Sequence, residues 1–209
     1  MSLTAVQPVK IGFLGVGSAG TTPSPALEWL WQHLEDVANP RILDCGVLRR
    51  CTVGALLDRG AKLYVADLIS PLQQKKYYWD YSRSAPVFRA DRLLAQLPPI
   101  PRCSLNAVFC WQLLDLLPPE ALVPVVLRMF LYLQPHGVLF CIVREPCLPK
   151  GADIVWWLES LTTLKRDGGG SAPFSYAAIT NRAMERLLPC GRARTFLTRS
   201  GLREVLAVK

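Results

Sequence analysis

The sequence predicts a doubly wound α/β domain with a mainly parallel seven-stranded sheet and an antiparallel last strand. Three observations predict it. From Arg41 onward, short apolar runs alternate with segments of helical spacing, the order that builds parallel sheets with helices on both faces. Glycines and prolines punctuate those runs, as at Gly46, Gly60 and Pro118-Pro119, where chains turn. The chain ends in two short strands separated by Ser200-Gly201, which suits an antiparallel hairpin.

Taken in order, Gly15 to Ser24 is a Gly/Ser/Thr/Pro cluster and reads as loop. Residues 1–24 are therefore read as an N-terminal extension and residues 25–209 as one α/β domain. Ser24 is an N-cap and Pro25 a first-turn proline for a helix through Ala38, with Leu27, Leu30, Trp31 and Leu34 on one face. Ile42 to Cys45 is the first strand, followed by a helix from Thr52 to Arg59 that stops at Gly60. Lys62 to Asp67 is the second strand, Leu72 to Tyr81 a helix and Val87 to Arg89 a brief third strand. Leu105 to Trp111 is the fourth strand and Pro119 to Leu133 a long helix. Gly137 to Val143 is the fifth strand, rich in β-branched and aromatic residues. Asp153 to Leu164 reads as helix, Arg166 to Pro173 as a glycine-rich break and Tyr176 to Leu188 as helix. Thr195 to Thr198 and Glu204 to Val208 complete the strands.

The 209 residues carry a formal net charge of +8. That balance favours acidic partners, nucleic acid among them, or simply aids solubility. The basic residues are scattered, so charge alone does not mark a nucleic-acid interface. Seven cysteines, an odd count without a CxxC pair, lie mostly in apolar runs; this reads as reduced, buried thiols of a cytoplasmic protein. With only His33 and His136 to help, no metal site is expected. Met1 to Lys10 lacks the basic start and apolar core of a signal peptide. Leu105 to Val143, the most apolar stretch, is broken by residues such as Asp115, Pro124 and Arg128, so it reads as core and not as a membrane span.

Two glycine signals compete. Gly15-Val16-Gly17-Ser18-Ala19-Gly20 is a literal GxGxxG after an apolar run. A dinucleotide site needs a helix starting inside those glycines, because its amides hold the pyrophosphate. Pro23 and Pro25 stop such a helix, so this segment is read as a loop and not as a phosphate-binding turn. The second signal is Arg41-Ile42-Leu43-Asp44-Cys45-Gly46, then a helix, then Leu63-Tyr64-Val65-Ala66-Asp67. An acid at each strand end offers two acceptor oxygens, and glycine lets the backbone approach a ligand.

This second arrangement resembles the class I S-adenosylmethionine (SAM) dependent methyltransferases. The resemblance spans roughly residues 40–208 and implies their Rossmann-like fold. It implies that SAM is the cofactor and that Asp44, Gly46, Asp67, Asp91 and Asn106 bind it. Asp67 matches the acid that binds both ribose hydroxyls, and Asp91 the polar residue beside the adenine amino group. Asn106 opens the run that matches the fourth strand, and Leu133-Gln134-Pro135-His136-Gly137 matches the turn before the fifth. Asp44, at its strand end, either touches ligand or caps the next turn. Leu48 and Arg50 replace the second and third glycines of the family loop. Leu48 would crowd the ligand, whereas Arg49 or Arg50 could pair with the SAM carboxylate.

No residue is marked as catalytic. An Asn-Pro-Pro-aromatic motif after the fourth strand is absent, and Cys110 and Cys147 read as inert thiols. Tyr77 to Tyr81, beside Lys75-Lys76, suits either base stacking or packing. Two functions stay open. One is a SAM-dependent methyltransferase acting on a small molecule or nucleic acid. The other is a catalytically inactive methyltransferase-like scaffold for a protein partner or a second copy of itself.

Overall fold

The computed structural model describes residues 20–73, 75–82, 85–145, 154–168, 176–189, 193–198 and 202–209. The first half of the chain gives β1 (Gly20–Pro23), α1 (Pro25–His33), β2 (Arg41–Asp44), α2 (Arg50–Asp58) and β3 (Lys62–Val65). A 3₁₀ turn (Ser70–Gln73), α3 (Lys75–Tyr78), β4 (Trp79–Asp80), β5 (Val87–Phe88) and α4 (Ala90–Leu94) follow. Then come β6 (Leu105–Trp111), a 3₁₀ turn (Leu113–Leu116), α5 (Pro119–Tyr132) and β7 (Leu133–Arg144). The chain closes with β8 (Ile154–Ser160), β9 (Thr163–Gly168), α6 (Asn181–Leu187), β10 (Ala193–Leu197) and β11 (Leu202–Val208).

Six strands form the central sheet, in the order β10-β11-β7-β6-β2-β3. β2 pairs parallel with β3 and with β6, and β6 pairs parallel with β7. β11 runs antiparallel to both its neighbours, β7 and β10. This is the mainly parallel α/β sheet with an antiparallel last strand. Every residue of β6 is buried, as a strand covered on both faces requires. After β2 the chain first places β3 on one side, then β6 on the other. The order therefore reverses between β2 and β6, and ligands of open α/β sheets bind at the carboxyl ends of the strands flanking such a reversal.

The seventh strand expected at 87–89 is not in this sheet. β5 pairs with β4 in a separate two-stranded ribbon, Trp79 opposite Phe88, with their rings edge to face at 5.5 Å. The helix expected over 72–81 is interrupted by that pairing. The aromatic run is thus largely committed to packing: Tyr78 is buried beneath Phe88, while Tyr77 and Tyr81 stay exposed.

Two further expectations are corrected by a second, three-stranded antiparallel sheet, β1-β9-β8. The helix read over 153–164 is instead the β8–β9 hairpin, and residues 20–23 of the expected extension are an edge strand on it. Val155, Trp156, Trp157 and Leu158 are all buried. Both faces of β8 are covered, so its sequence shows no alternation to betray a strand. The β-branched and aromatic residues decide for strand. Thr52 Oγ1 of α2 accepts the Leu158 amide at 3.1 Å and ties this sheet to the main one. Of the Gly15–Gly20 motif only Gly20 lies within the described residues, so the loop expected there is otherwise outside them.

Local signals hold where they were strong. Gly60 ends α2 with φ +83°, a conformation that favours glycine. The Ser24 side chain accepts the Leu27 amide at 3.1 Å and caps α1. Its hydroxyl also donates to Oε2 of the buried Glu204 carboxylate at 2.6 Å, and Glu204 Oε2 accepts the Ala26 amide as well. Burial pushes the Glu204 carboxyl up, opposed by these two hydrogen bonds. Ser24→Ala removes the cap and leaves Glu204 short of a donor, so it should cost about 1–3 kcal/mol. The check is a lower urea midpoint with an unchanged m-value; an unshifted midpoint would mean that neither contact matters.

Among the described residues no helix is long and apolar enough to cross a membrane, and no group of His, Cys, Asp and Glu could hold a metal. Cys45, Cys110 and Cys141 are buried free thiols. A hydrogen bond with Cys45, then burial, raises Cys110; burial raises Cys141. Neither is poised as a nucleophile. Cys147 lies outside the described residues.

Candidate functional site

The site forms at the carboxyl ends of β2, β3 and β6. β2 delivers Asp44, which is 1% exposed. Its Oδ1 accepts the Gly46 amide at 3.0 Å and the Trp111 indole N–H at 2.6 Å. Burial pushes the Asp44 carboxyl up; the two hydrogen bonds oppose that, and nearby Asp67 adds to it. The carboxylate therefore both caps the turn after β2 and anchors an aromatic ring.

Trp111 ends β6 with φ +51°, a left-handed backbone that strains a bulky side chain. The ring is 1% exposed and lies 5.7 Å from Phe109 and 5.8 Å from Phe140, centroid to centroid. A Cβ on Gly46 would meet Trp111 Cδ1 at 2.4 Å and Nε1 at 2.5 Å. Gly46 does admit a close approach to the backbone, and in this structure the approaching group is the chain's own indole.

The remaining loop residues turn away from this point. Leu48 is 58% exposed, so it is not the group packed against Gly46. The Arg49 guanidinium lies 4.8 Å over the Trp157 ring of β8, and Arg50 is exposed at the start of α2.

Asp67 lies two residues beyond β3. Its Oδ1 accepts the amides of Ile69 at 3.0 Å and Ser70 at 2.8 Å, opening the 3₁₀ turn there. Asp44, Gly46 and Asp67 thus share one end of the sheet. Asp91 and Asn106 are not brought to them. Asp91 is an exposed side chain in the first turn of α4, held by Arg89 through contacts of 2.7 and 3.0 Å. That pairing keeps its carboxyl below the usual range. Asn106 is the second residue of β6 and accepts the amide of Arg41, the first residue of β2, at 2.8 Å. It therefore ties the amino ends of two parallel strands together, on the rim opposite the crevice.

Sequence reasoning missed Trp111, because its role depends on a positive φ and a partner 67 positions away. It also missed a polar cluster at the ends of β6, β7 and β11. The Arg144 amide donates to Asp115 Oδ2 at 2.6 Å, and Asp115 Oδ1 is buried without a hydrogen-bond partner among the described residues. Burial pushes the Asp115 carboxyl up to about 7, opposed by that amide and by the charges of Arg144 and Arg203. Arg203 pairs with Glu145 at 2.6 Å and donates to Asn181 Oδ1 and Ile179 O. The signal was present: Asp115 interrupts an apolar run and Arg144 closes another.

A groove of about 1000 Å³ lies elsewhere, between α2 and the β8–β9 hairpin, with Arg50, Gly54, Arg59, Trp157 and Lys165 in its lining. None of the five predicted site residues lines it. Two of its cations are engaged, Lys165 with Glu159 at 3.4 Å and Arg59 on the Leu34 carbonyl at 3.1 Å. Volume alone does not make it the reactive centre.

No protein-family model matches the chain, and no curated protein matches it. Solved structures do. One is 1,6-didemethyltoxoflavin-N1-methyltransferase of Burkholderia thailandensis, holding 1,6-didemethyltoxoflavin and S-adenosylhomocysteine. It aligns at 17% identity with a TM-score of 0.50, over 88% of this chain and 76% of that one. An S-adenosylmethionine dependent methyltransferase of Mesorhizobium loti aligns at 15% identity and TM-score 0.45, over 88% of this chain and 99% of that one. The CcbJ methyltransferase of Streptomyces caelestis aligns at 14% identity and TM-score 0.47, over 90% and 97%.

Proposed function

We propose that this chain, which has the fold of the class I SAM-dependent methyltransferases, is itself a SAM-dependent methyltransferase. The observation that carries this reading is Asp67. It places a carboxylate just past the carboxyl end of β3, on the same edge as Asp44 and Gly46 and beside the reversal of strand order. A carboxylate there suits a ribose diol, because it accepts two hydrogen bonds at once. The residues fit SAM in part: Asp67 suits the ribose, and the buried Asp44 carboxylate suits an ammonium group, but the indole of Trp111 fills the space against Gly46. SAM, when bound, supplies a methyl group on a sulfonium that is reactive without further activation. What the chain then has to provide is positioning. The methyl acceptor is a small molecule or a nucleic acid.

A second reading, the inactive scaffold for a protein partner, is favoured by that same indole. One titration separates the two. Calorimetry with SAM should show binding that Asp67→Ala weakens about ten- to a hundredfold, as loss of charged hydrogen bonds of roughly 1.5–3 kcal/mol implies. Asp67→Asn keeps an acceptor for the Ile69 and Ser70 amides and loses the charge, so it should weaken binding without disturbing the turn. Folded protein that releases no heat with SAM would favour the scaffold.

A further inference from the structure

Trp111 is placed where a ligand of this fold would go. It ends β6, one of the two strands flanking the reversal, and reaches across to Asp44 and Gly46 at the end of the other. A left-handed backbone at a tryptophan is unfavourable by itself. It is offset by a 2.6 Å hydrogen bond to a buried carboxylate and by packing on Phe109 and Phe140. Those contacts leave the ring 1% exposed, so the crevice is shut at this point by the chain itself.

We propose that Trp111 is an internal plug that competes with the cofactor for the crevice. The inference rests on reading that crevice as the SAM site. Ring and ligand contend for the same space beside Gly46 and for the same carboxylate. Asp44 has a neutral N–H donor while the plug is in, and a cationic ammonium would be the stronger partner for a buried carboxylate. Binding then requires the indole to leave, which lowers the apparent affinity by the fraction of molecules with the crevice open.

The test is calorimetric titration of SAM and of S-adenosylhomocysteine into wild type, Trp111→Ala and Trp111→Phe, each checked for folding by circular dichroism. Trp111→Phe guards against loss of the larger ring unfolding the alanine variant. It keeps most of the bulk and removes the bond to Asp44. Binding should tighten at least tenfold in Trp111→Ala and severalfold in Trp111→Phe. SAM should also raise the acrylamide-quenchable tryptophan fluorescence of wild type, and this rise should vanish in Trp111→Phe. Affinities equal to wild type or weaker, in variants that fold and bind, would overturn the plug and leave the methyltransferase reading intact. Absence of binding in all three folded proteins would overturn the cofactor reading itself.

Discussion

Gly46→Ala should destabilise the protein by about 2–3 kcal/mol, the upper part of the range for overpacking a filled core. The added Cβ would lie 2.4 and 2.5 Å from two indole atoms of Trp111 and 3.2 Å from Asp44 Oδ1. A rigid ring cannot yield as the end of a flexible side chain can. Phe109 and Phe140 stand beside it, and its N–H is tied to Asp44. Relief would require shifting the ring, and so weakening that bond, or moving the turn after β2. In a domain of this size the cost should lower Tm by about 5–10 °C. The double variant Gly46→Ala/Trp111→Ala isolates the cause. With the ring gone the methyl group has room, so the pair should cost little more than Trp111→Ala alone, a coupling of about 2 kcal/mol. A Gly46→Ala protein as stable as wild type would show that the ring does not rest on this backbone in solution, and the plug would fall with it.

The elements that sequence reading located best are those whose one-dimensional signals are local. Ser24 and Pro25 mark the start of α1, and Gly60 marks the end of α2, because caps and left-handed glycines are decided within a few residues. The buried strands β6 and β7 show as apolar runs of strand length. The β8–β9 hairpin did not show, because burial on both faces erases the alternation that separates strand from helix. β1 is an edge strand of four residues whose partner, β9, lies about 140 positions later, and no local rule reaches that far.

The candidate site divides in the same way. Asp44, Gly46 and Asp67 follow from strand ends and fall at one edge of the sheet. Asn106 stands apart from these three: parallel strands all begin on the rim opposite their carboxyl ends, and Asn106 is at a beginning, where it accepts the Arg41 amide. Asp91 stands apart for a different reason. Its ion pair with Arg89, two positions away, makes a complete surface partner, with Asp80 3.7 Å from the same guanidinium. An acid near a strand end is no evidence for a ligand when a neighbouring arginine already satisfies it.

Asp115→Asn should flatten part of the protein's pH-dependent stability. The Asp115 carboxyl titrates at about 7 in the folded protein against an ordinary value of 3.8. The folded chain therefore holds a proton that the unfolded chain has lost between about pH 4 and pH 7, and stability falls as pH rises through that window. The contribution is complete below pH 4 and gone above about pH 7. From pH 5 to pH 7 the loss spans two units at roughly 1.36 kcal/mol each, about 3 kcal/mol. Asparagine can still accept the Arg144 amide that Asp115 Oδ2 takes at 2.6 Å, and it never ionises. Urea unfolding at pH 5 and pH 8 should thus show the variant gaining on wild type by about 2–3 kcal/mol as pH rises. Asp44 and Glu204, also raised by burial, titrate in both proteins and cancel in the difference. Two guanidiniums act against this result, since Arg144 and Arg203 favour the ionised carboxylate. Arg203 has Glu145 as its own partner, however, and Asp115 Oδ1 has no donor among the described residues, so burial wins. A stability difference that stays flat from pH 5 to pH 8 would mean that the two guanidiniums hold Asp115 ionised, and that the ends of β6, β7 and β11 are joined by a buried salt-bridge network.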